Sequence, residues 1–247
     1  MNASLTVSNA SLERLVPAQL AATDVTGQQT LALHAERYRF AARHALPGRL
    51  LDIACGVGYG TRSVVEDRSD ITGALGVDIS EQALAHARAN YAHPKISYAA
   101  GDAMSFRSAQ PYQTIVSLET IEHLPDPRGF VENLIASMAP IARIIASVPT
   151  TPSVDANPHH CHDFTEASFR RLFLKFGLRE VAALPQTQSF SPLRIMARQE
   201  KRLADLRPNL MRYYMAHPSS ALKRAASILR DGFNNRYITI VWERRLA

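Results

Sequence analysis

The chain has 247 residues, of which 46% are hydrophobic and 20% charged, so it suits one large domain and excludes a multidomain assembly or a disordered chain. Its most apolar run, residues 134–148, is interrupted by Arg143 and is too short to span a membrane. The net charge of +6 is uneven, because residues 192–247 contain 12 Lys and Arg against 4 Asp and Glu. This basic quarter indicates an anionic partner (a nucleic acid, a nucleotide-linked substrate or a membrane surface) or else a solvated face.

The start of the chain indicates where the protein resides. From Met1 onward no basic stretch is followed by an apolar one, so no secretory signal is recognised and a cytoplasmic location is expected. The two cysteines, Cys55 and Cys161, are too few for a disulfide framework and are expected to be reduced.

The predicted elements alternate between strands and helices. The first 30 residues are polar and lack periodicity, and we expect them to form an N-terminal lid segment over a domain of residues 31–247. Short apolar runs predict strands at 49–54, 74–78, 114–118 and 142–148, with a further strand before Gly101. Ser80 and Thr165 are placed to cap two of the helices between and after these strands. The pattern predicts an α/β fold with a doubly wound, mainly parallel sheet.

The last part of the chain predicts two more strands, at 181–184 and 237–242. Between them, residues from about 189 to 235 are basic and helical in pattern. We expect this helical insertion to form a lid or a contact surface. Its cations Arg212, Lys223 and Arg224 are expected to select an anionic substrate.

The sharpest motif is residues 51–60, Leu-Asp-Ile-Ala-Cys-Gly-Val-Gly-Tyr-Gly, in which a strand runs directly into a turn of small residues. Such a turn lets the backbone approach a cofactor. The dehydrogenase pattern Gly-x-Gly-x-x-Gly is not met, because its sixth position, counted from Gly56, is Thr61. Asp78 ends the next strand, where a carboxylate can accept both hydroxyls of an adenosine ribose, and Asp102 could receive the adenine amino group. The motif therefore predicts a cofactor that contains adenosine.

These residues, with Glu13–Pro17, His34-x-x-Arg37-Tyr38 and Glu119–Leu124, resemble the class I S-adenosylmethionine-dependent methyltransferases over about residues 13–176. Within that class they look like the type 11 methyltransferases found among polysaccharide-building enzymes. The resemblance implies a seven-stranded, Rossmann-like methyltransferase fold with a helical insertion before the last strand. It also implies S-adenosylmethionine as the cofactor.

The resemblance also implies roles for single residues. The methionine part of the cofactor would lie over the turn that contains Ala54, Gly56 and Gly58, with its ammonium oriented by Asp52. Asp78 and Ile79 are expected to hold the ribose, and Asp102 and Ala103 to bound the adenine. Ser117 to Glu119 are expected to approach the sulfonium side. Tyr38 and His34 are expected to act as a lid.

A cluster of acids and histidines is a candidate for activating a hydroxyl acceptor. Glu119, Glu122 and His123 are spaced i, i+3 and i+4 and are expected to project to one side of a helical turn. They would meet His160 and His162, which follow the fifth strand. Glu119, Glu122, His123 and His160 could hold one divalent cation, magnesium or manganese. The arrangement is similar to the metal sites of small-RNA 2′-O-methyltransferases and of ubiquinone-biosynthesis O-methyltransferases.

If no metal binds, His123, His160 or His162 is a candidate general base, because an imidazole titrates near neutral pH. Glu122 would then cap a helix.

The expected function is O-methylation of a glycan, a nucleotide sugar or a related polyhydroxylated small molecule, with an anionic acceptor favoured by the basic insertion. RNA 2′-O-methylation is the second hypothesis, although the sequence contains no recognisable RNA-binding module. A non-catalytic protein that binds S-adenosylmethionine is the third. A homodimer is left open.

Overall fold

The computed structural model describes residues 15–191, 193 and 209–244. Parts of the predicted N-terminal lid segment and of the predicted insertion, residues 1–14, 192 and 194–208, lie outside the described residues. Among the helices that are described, none has the length and the apolar character needed to cross a membrane.

Seven strands form one sheet in the order β3-β2-β1-β4-β5-β7-β6. In chain order they are β1 (Gly48–Ile53), β2 (Ile71–Asp78), β3 (Ile96–Ala100), β4 (Tyr112–Ser117), β5 (Met138–Pro149), β6 (Leu178–Ser189) and β7 (Asn234–Arg244). The first five strands are parallel, and β7 lies antiparallel between β5 and β6. The predicted doubly wound, mainly parallel sheet is confirmed.

The helices flank this sheet. They are α1 (Val25–His44), α2 (Tyr59–Asp67), α3 (Glu81–Asn90), α4 (Pro127–Ala136), α5 (Glu166–Leu174), α6 (Leu210–Ala216) and α7 (Pro218–Asp231). Ser80 and Thr165 cap α3 and α5 as predicted, since their hydroxyls accept the backbone N–H groups of Ala83 and Ser168.

Three boundaries differ from the prediction. Helix α1 begins at Val25, so a boundary at residue 30 cuts through it; its buried positions lie between Arg37 and Ala42, which leaves the first turns polar. Strand β6 has 12 residues rather than the four predicted. Its burial alternates, as expected for an edge strand, so a search for apolar runs does not find its full length. The insertion does not join two edge strands, because β7 lies inside the sheet.

The two faces of the sheet bury separate apolar clusters, since successive strand residues point to opposite sides. Leu51 and Ile144 face one cluster, and their neighbours Leu50 and Ile145 face the other. In the first cluster the rings of Phe173, from α5, and Trp242, from β7, are stacked with centroids 4.8 Å apart and planes 2° apart. This contact fastens α5 to the antiparallel part of the sheet.

Replacing Phe173 with Ala should lower the free energy of unfolding by about 3–5 kcal/mol, because a fully buried ring is exchanged for a cavity. The matched control is Leu174→Ala, the next residue on the exposed side of α5, which should cost less than about 1 kcal/mol. Urea denaturation measures both. Similar losses in the two variants would contradict this assignment of the core.

Candidate functional site

The turn after β1 has three residues in the left-handed backbone region: Ala54 (φ 64°), Gly56 (φ 58°) and Gly58 (φ 85°). A Cβ atom added to Gly56 would meet no atom within 4 Å, so this backbone borders open space. A Cβ atom on Gly58 would lie 2.7 Å from the Cβ of Ala87 and from the hydroxyl of Tyr98. Gly56 therefore leaves room for a ligand, whereas Gly58 is needed for packing at the start of α2.

Beneath this turn lies Asp52, which is buried. Its Oδ2 accepts hydrogen bonds from the hydroxyls of Thr61 (2.5 Å) and Tyr38 (3.3 Å). Its buried Oδ1 has no hydrogen-bond partner among the described residues. Burial raises the pKa of Asp52 to about 7, although both hydroxyls favour the charged form. A cationic group at Oδ1 would stabilise the carboxylate.

Asp78, at the end of β2, ties the neighbouring loop to the same turn. Its Oδ2 accepts the backbone N–H of Gly56 and its Oδ1 that of Ser80, each at 2.9 Å. Ile79 beside it is exposed. In the loop after β3, Asp102 accepts the N–H of Met104 at 2.9 Å, as a turn-capping carboxylate does.

A cavity of about 860 Å³ lies along the carboxyl edge of the sheet and joins these elements to the acid and histidine cluster. Of the site residues expected from the sequence, it is lined by His34, Tyr38, Ala54, Gly56, Asp78, Ile79, Asp102, Ala103, Glu119, Glu122, His123 and His160. Asp52 and Gly58 lie next to it in the turn, and Ser117 is buried at the end of β4. His162 does not line the cavity and packs near Phe164, with ring centroids 6.2 Å apart. His162 thus lies outside the cavity lining, although its backbone N–H donates to the carbonyl oxygen of Glu122 at 3.2 Å.

Glu119 adopts a different conformation from the predicted one. Its φ of 49° lies in the left-handed region, and the 3₁₀ turn that follows covers only Ile121–His123. The prediction that Glu119 shares a helical turn with Glu122 and His123 is therefore wrong. Its Oε1 accepts the Ser147 hydroxyl at 2.7 Å and lies 3.7 Å from Nη1 of Arg37. These contacts direct Glu119 away from a role as a metal ligand.

Arg37 lines the cavity, although sequence reasoning did not single it out as a site residue. It is buried, donates from Nε to Oε1 of Gln186 at 2.8 Å, and places its guanidinium 4.5 Å from the centre of the Tyr237 ring. The signal in the sequence was its position between His34 and Tyr38, on the face of α1 that turns toward the site. Arg37 supplies a fixed positive charge in the cavity.

Glu122, His123 and His160 offer ligand atoms that all lie within 4.8 Å of one another. The two imidazole rings meet edge to face with centroids 4.5 Å apart. Nδ1 of His123 lies 3.2 Å from the carbonyl oxygen of His159, and Nδ1 of His160 lies 2.5 Å from the Ser153 hydroxyl. Nδ1 of each ring is thus held by a neighbouring oxygen atom. In metal-binding histidines the ring nitrogen that does not bind the metal is held in the same way.

Burial lowers the pKa of both histidines. For His160, burial together with the charges of His123 and His159 lowers the pKa to about 3. Both imidazoles are therefore neutral at neutral pH, which is the state that accepts a proton or binds a metal.

The loop after β5, which carries His160, is held by the helical insertion. Arg224 in α7 donates from Nη2 to Oδ1 of Asp155 at 2.5 Å and from Nε to Oδ2 at 2.9 Å. The Tyr214 hydroxyl donates to the same carboxylate at 2.6 Å. Although burial acts in the opposite direction, the hydrogen bonds from Arg224 and Tyr214 lower the pKa of Asp155.

The expectation that Arg212, Lys223 and Arg224 together select an anionic substrate is therefore wrong for Arg224, which is paired with Asp155. Arg224 is buried and paired, whereas Arg212 and Lys223 are exposed. The buried guanidinium and the carboxylate neutralise each other, so no net charge is buried at this contact.

Residues 26–183, more than half of the chain, match the family described as a methyltransferase domain, and the chain belongs to this family. It is 36% identical over 111 residues to trans-aconitate 2-methyltransferase of Streptomyces avermitilis, covering 42% of this chain and 39% of that protein. It is 29% identical over 103 residues to ubiquinone biosynthesis O-methyltransferase of Idiomarina loihiensis, covering 40% of this chain and 41% of that protein. The chain thus spans less than half the length of these two curated relatives.

Among solved structures, the fold is similar to that of N-methyltransferase NodS from Bradyrhizobium japonicum WM9 in complex with S-adenosyl-L-homocysteine. The TM-score is 0.59 at 16% identity, and the match covers 90% of this chain and 89% of that chain. The expected class, the methyltransferases, is confirmed by the family match. The type 11 subgroup of polysaccharide-building enzymes stays a prediction.

Replacing Arg224 with Ala should lower the free energy of unfolding by about 3–5 kcal/mol, because the Asp155 carboxylate would stay buried without its cation. Its neighbour Lys223 is exposed, and Lys223→Ala should change stability by less than about 0.5 kcal/mol. Urea denaturation compares the two variants. Equal effects would show that the ion pair does not hold the loop.

Proposed function

We propose that this protein is an S-adenosylmethionine-dependent O-methyltransferase that acts on the hydroxyl of a polyhydroxylated small molecule, with glycan units and nucleotide sugars as the acceptors to test first. The observation that carries the proposal is one cavity lined both by the glycine turn and by two neutral imidazoles. A hydroxyl is too weakly acidic to react readily at neutral pH, so a group that takes its proton favours oxygen as the acceptor atom.

The residues around the turn suit the cofactor. Bound S-adenosylmethionine would supply an electrophilic methyl group on a sulfonium. Gly56 leaves the space, and the unpartnered Oδ1 of Asp52 is a buried acceptor for the ammonium. Asp78 and Ile79 would hold the ribose, with Asp102 and Ala103 beside the adenine. These roles follow from position in the family and remain proposals.

The N-terminal residues support the expected lid. Leu15, Leu20 and Asp24, which precede α1, line the cavity together with His34 and Tyr38 of α1. Burial and the charge of Arg37 lower the pKa of His34 to about 3, so it is neutral and uncharged toward the cavity. We propose that this segment excludes water from the transfer step.

A divalent cation fits the histidine cluster in an altered form. Glu122, His123 and His160 would be its ligands. Glu119 is left out of this set, because its carboxylate contacts Ser147 and Arg37 instead. Two imidazoles with one carboxylate suit manganese, iron or zinc better than magnesium, which prefers oxygen ligands. Such an ion would lower the pKa of a bound hydroxyl. Without one, His123 or His160 would accept the proton, and His123 is the better candidate because a pKa of about 3 makes His160 a weak base at neutral pH.

The charges of the insertion favour a small acceptor over RNA. Arg224 is paired with Asp155, and both Arg230 and Arg236 contact Asp231, at 2.8 and 3.0 Å. Asp155 and Asp231 thus offset two of these three positive charges, which leaves fewer for an RNA surface than a count of cations suggests. The small molecules named for the two relatives point in the same direction.

The titration of Asp52 predicts how cofactor binding depends on pH. Since its pKa in the free protein is raised to about 7, Asp52 is protonated at lower pH and cannot pair with an ammonium until it loses a proton. Affinity for S-adenosylhomocysteine should therefore fall by about tenfold from pH 8 to pH 6. Asp52→Asn should bind weakly at both values without that difference.

Calorimetry at the two pH values measures this effect, with proton release checked in buffers of different ionisation enthalpy. A pH dependence that persists in Asp52→Asn would assign the titration to another group.

The histidine cluster predicts how turnover responds to chelation. With labelled S-adenosylmethionine and fractionated glycans, nucleotide sugars and RNA, the wild type should label a small hydroxylated acceptor. If a cation binds, a chelator should abolish labelling, manganese should restore it, and Glu122→Gln should imitate the chelated enzyme. If a histidine is the base, the chelator should have no effect, whereas His123→Ala or His160→Ala should lose about 10²–10⁴-fold in kcat.

The control is His44→Ala, which removes an imidazole that does not line the cavity and should retain activity. Full turnover in the two histidine variants and in the presence of chelator would contradict any chemical role of the cluster. Labelling of RNA alone would replace the proposed acceptor class.

A further inference from the structure

Helix α7 is oriented with its polar side toward the protein. Arg224, Ser227 and Asp231 are buried, whereas Leu222 and Leu229 are 72% and 89% exposed. Ala225 and Ala226, between the two leucines, are exposed as well. A surface helix normally buries its apolar stripe and exposes its charges, so the pattern of α7 is reversed.

The buried polar side of α7 makes ion pairs with its surroundings. Arg224 holds Asp155 and donates to the carbonyl of Pro152 at 2.6 Å. At the end of the helix, Asp231 contacts Arg230 and Arg236. Rolling the helix to bury its leucines would break these ion pairs, and each buried charge left alone costs several kcal/mol. The outward position of the leucines is therefore fixed by the inward contacts.

The preceding helix adds to the exposed apolar area. Met211 and Met215, four residues apart in α6, are 77% and 72% exposed. Five of the eleven exposed large hydrophobic side chains in the described part of the chain lie between residues 211 and 233. Concentrated exposure of this kind marks an interaction surface, whereas single exposed apolar residues do not. We call Leu222 and Leu229, seven residues apart on one side of α7, the docking face.

Cations accompany the docking face. Lys223 follows Leu222, Arg230 follows Leu229, and Arg212 follows Met211; all three are exposed. Leu222 and Leu229 lie seven residues apart on one side of α7 and are each followed by a cation, an arrangement typical of helices that lie in the interface of an anionic membrane. In a dimer formed through this face, the cations of the two copies would repel each other. RNA would pair with the cations but would leave the leucines exposed.

We propose that the docking face binds the surface of an anionic lipid bilayer without crossing it. Strand β7 begins at Asn234, directly after α7, and Asn235 lines the cavity. Docking would therefore bring the cavity edge of the sheet to the bilayer. The proposal concerns a surface away from the transfer chemistry and does not depend on which acceptor is methylated.

The test is co-sedimentation of the full chain with vesicles of phosphatidylcholine containing phosphatidylglycerol, and with vesicles of phosphatidylcholine alone. The wild type should bind the anionic vesicles, bind the neutral ones far less, and be released by salt. Leu222→Gln with Leu229→Gln should weaken binding by about tenfold or more. Lys223→Gln should weaken it by about fivefold, as expected for one cation near an anionic surface.

Matched controls lie at the opposite edge of the sheet. Ile141→Gln at the start of β5 removes a side chain that is 72% exposed, and Lys175→Gln at the end of α5 removes an exposed cation. Both should bind vesicles like the wild type. Because all the exchanged side chains are exposed, every variant should fold, and circular dichroism verifies this.

Four results would overturn the proposal. The first is no binding of the wild type to anionic vesicles. The second is equal binding by the wild type and the leucine variant. The third is a dimer, detected by light scattering, that the leucine variant dissociates while vesicles are not bound, because the occupant would then be a second copy. Binding of RNA that Lys223→Gln weakens and the leucine variant retains would also replace the bilayer.

Discussion

The parallel pairing of β1 with β2 on one side and with β4 on the other is the constraint on which the site depends. The chain leaves β1 toward one half of the sheet and later returns on the other side of β1, so the loops after β1 and β4 diverge over the same edge. That divergence opens the cavity. Asp78 then closes its near wall by accepting the N–H of Gly56, which ties the end of β2 to the turn after β1. Without this register, the glycines would have no crevice to border.

Buried carboxylates around the cavity are treated in two ways, and the difference separates binding groups from supporting ones. Asp155 is compensated by Arg224, so it is a finished structural contact. Asp52 receives only two hydroxyls and keeps one buried oxygen unpartnered among the described residues, so its charge is favoured only when a cation arrives. The histidines show the same logic in reverse, because burial removes their charge and leaves them as bases or ligands.

Much of the fold could be predicted from the sequence. The strands β1, β2, β4 and β5 are recognisable because central parallel strands are continuous apolar runs. The full length of β6 is not, since an edge strand alternates and only its apolar part stands out. The start of α1 at Val25 was missed because its first turns bury few residues.

Within the site, the prediction succeeded where backbone chemistry decides and failed where distant contacts decide. The glycine turn and the carboxylate at the end of β2 follow from local pattern. The spacing of Glu119, Glu122 and His123 indicated a helix, but nothing in the spacing reveals a left-handed residue at Glu119. Arg224 has the appearance of a surface cation, because its partner Asp155 lies 69 positions away in the chain.

The position of β7 has a consequence for how the protein is made. Within the described residues, strand β6 pairs only with β7, and β7 in turn joins β6 to β5. During synthesis, residues 178–189 therefore emerge before any neighbour exists for them, and the stack of Phe173 on Trp242 cannot form until residue 242 has been made. A nascent chain halted before that point would carry an unpaired strand and an unfilled hydrophobic surface, which are the features that chaperones and proteases recognise. The sheet is thus completed only when β7 has been made. Until then, the unpaired strand and the exposed hydrophobic surface can be recognised by chaperones and proteases.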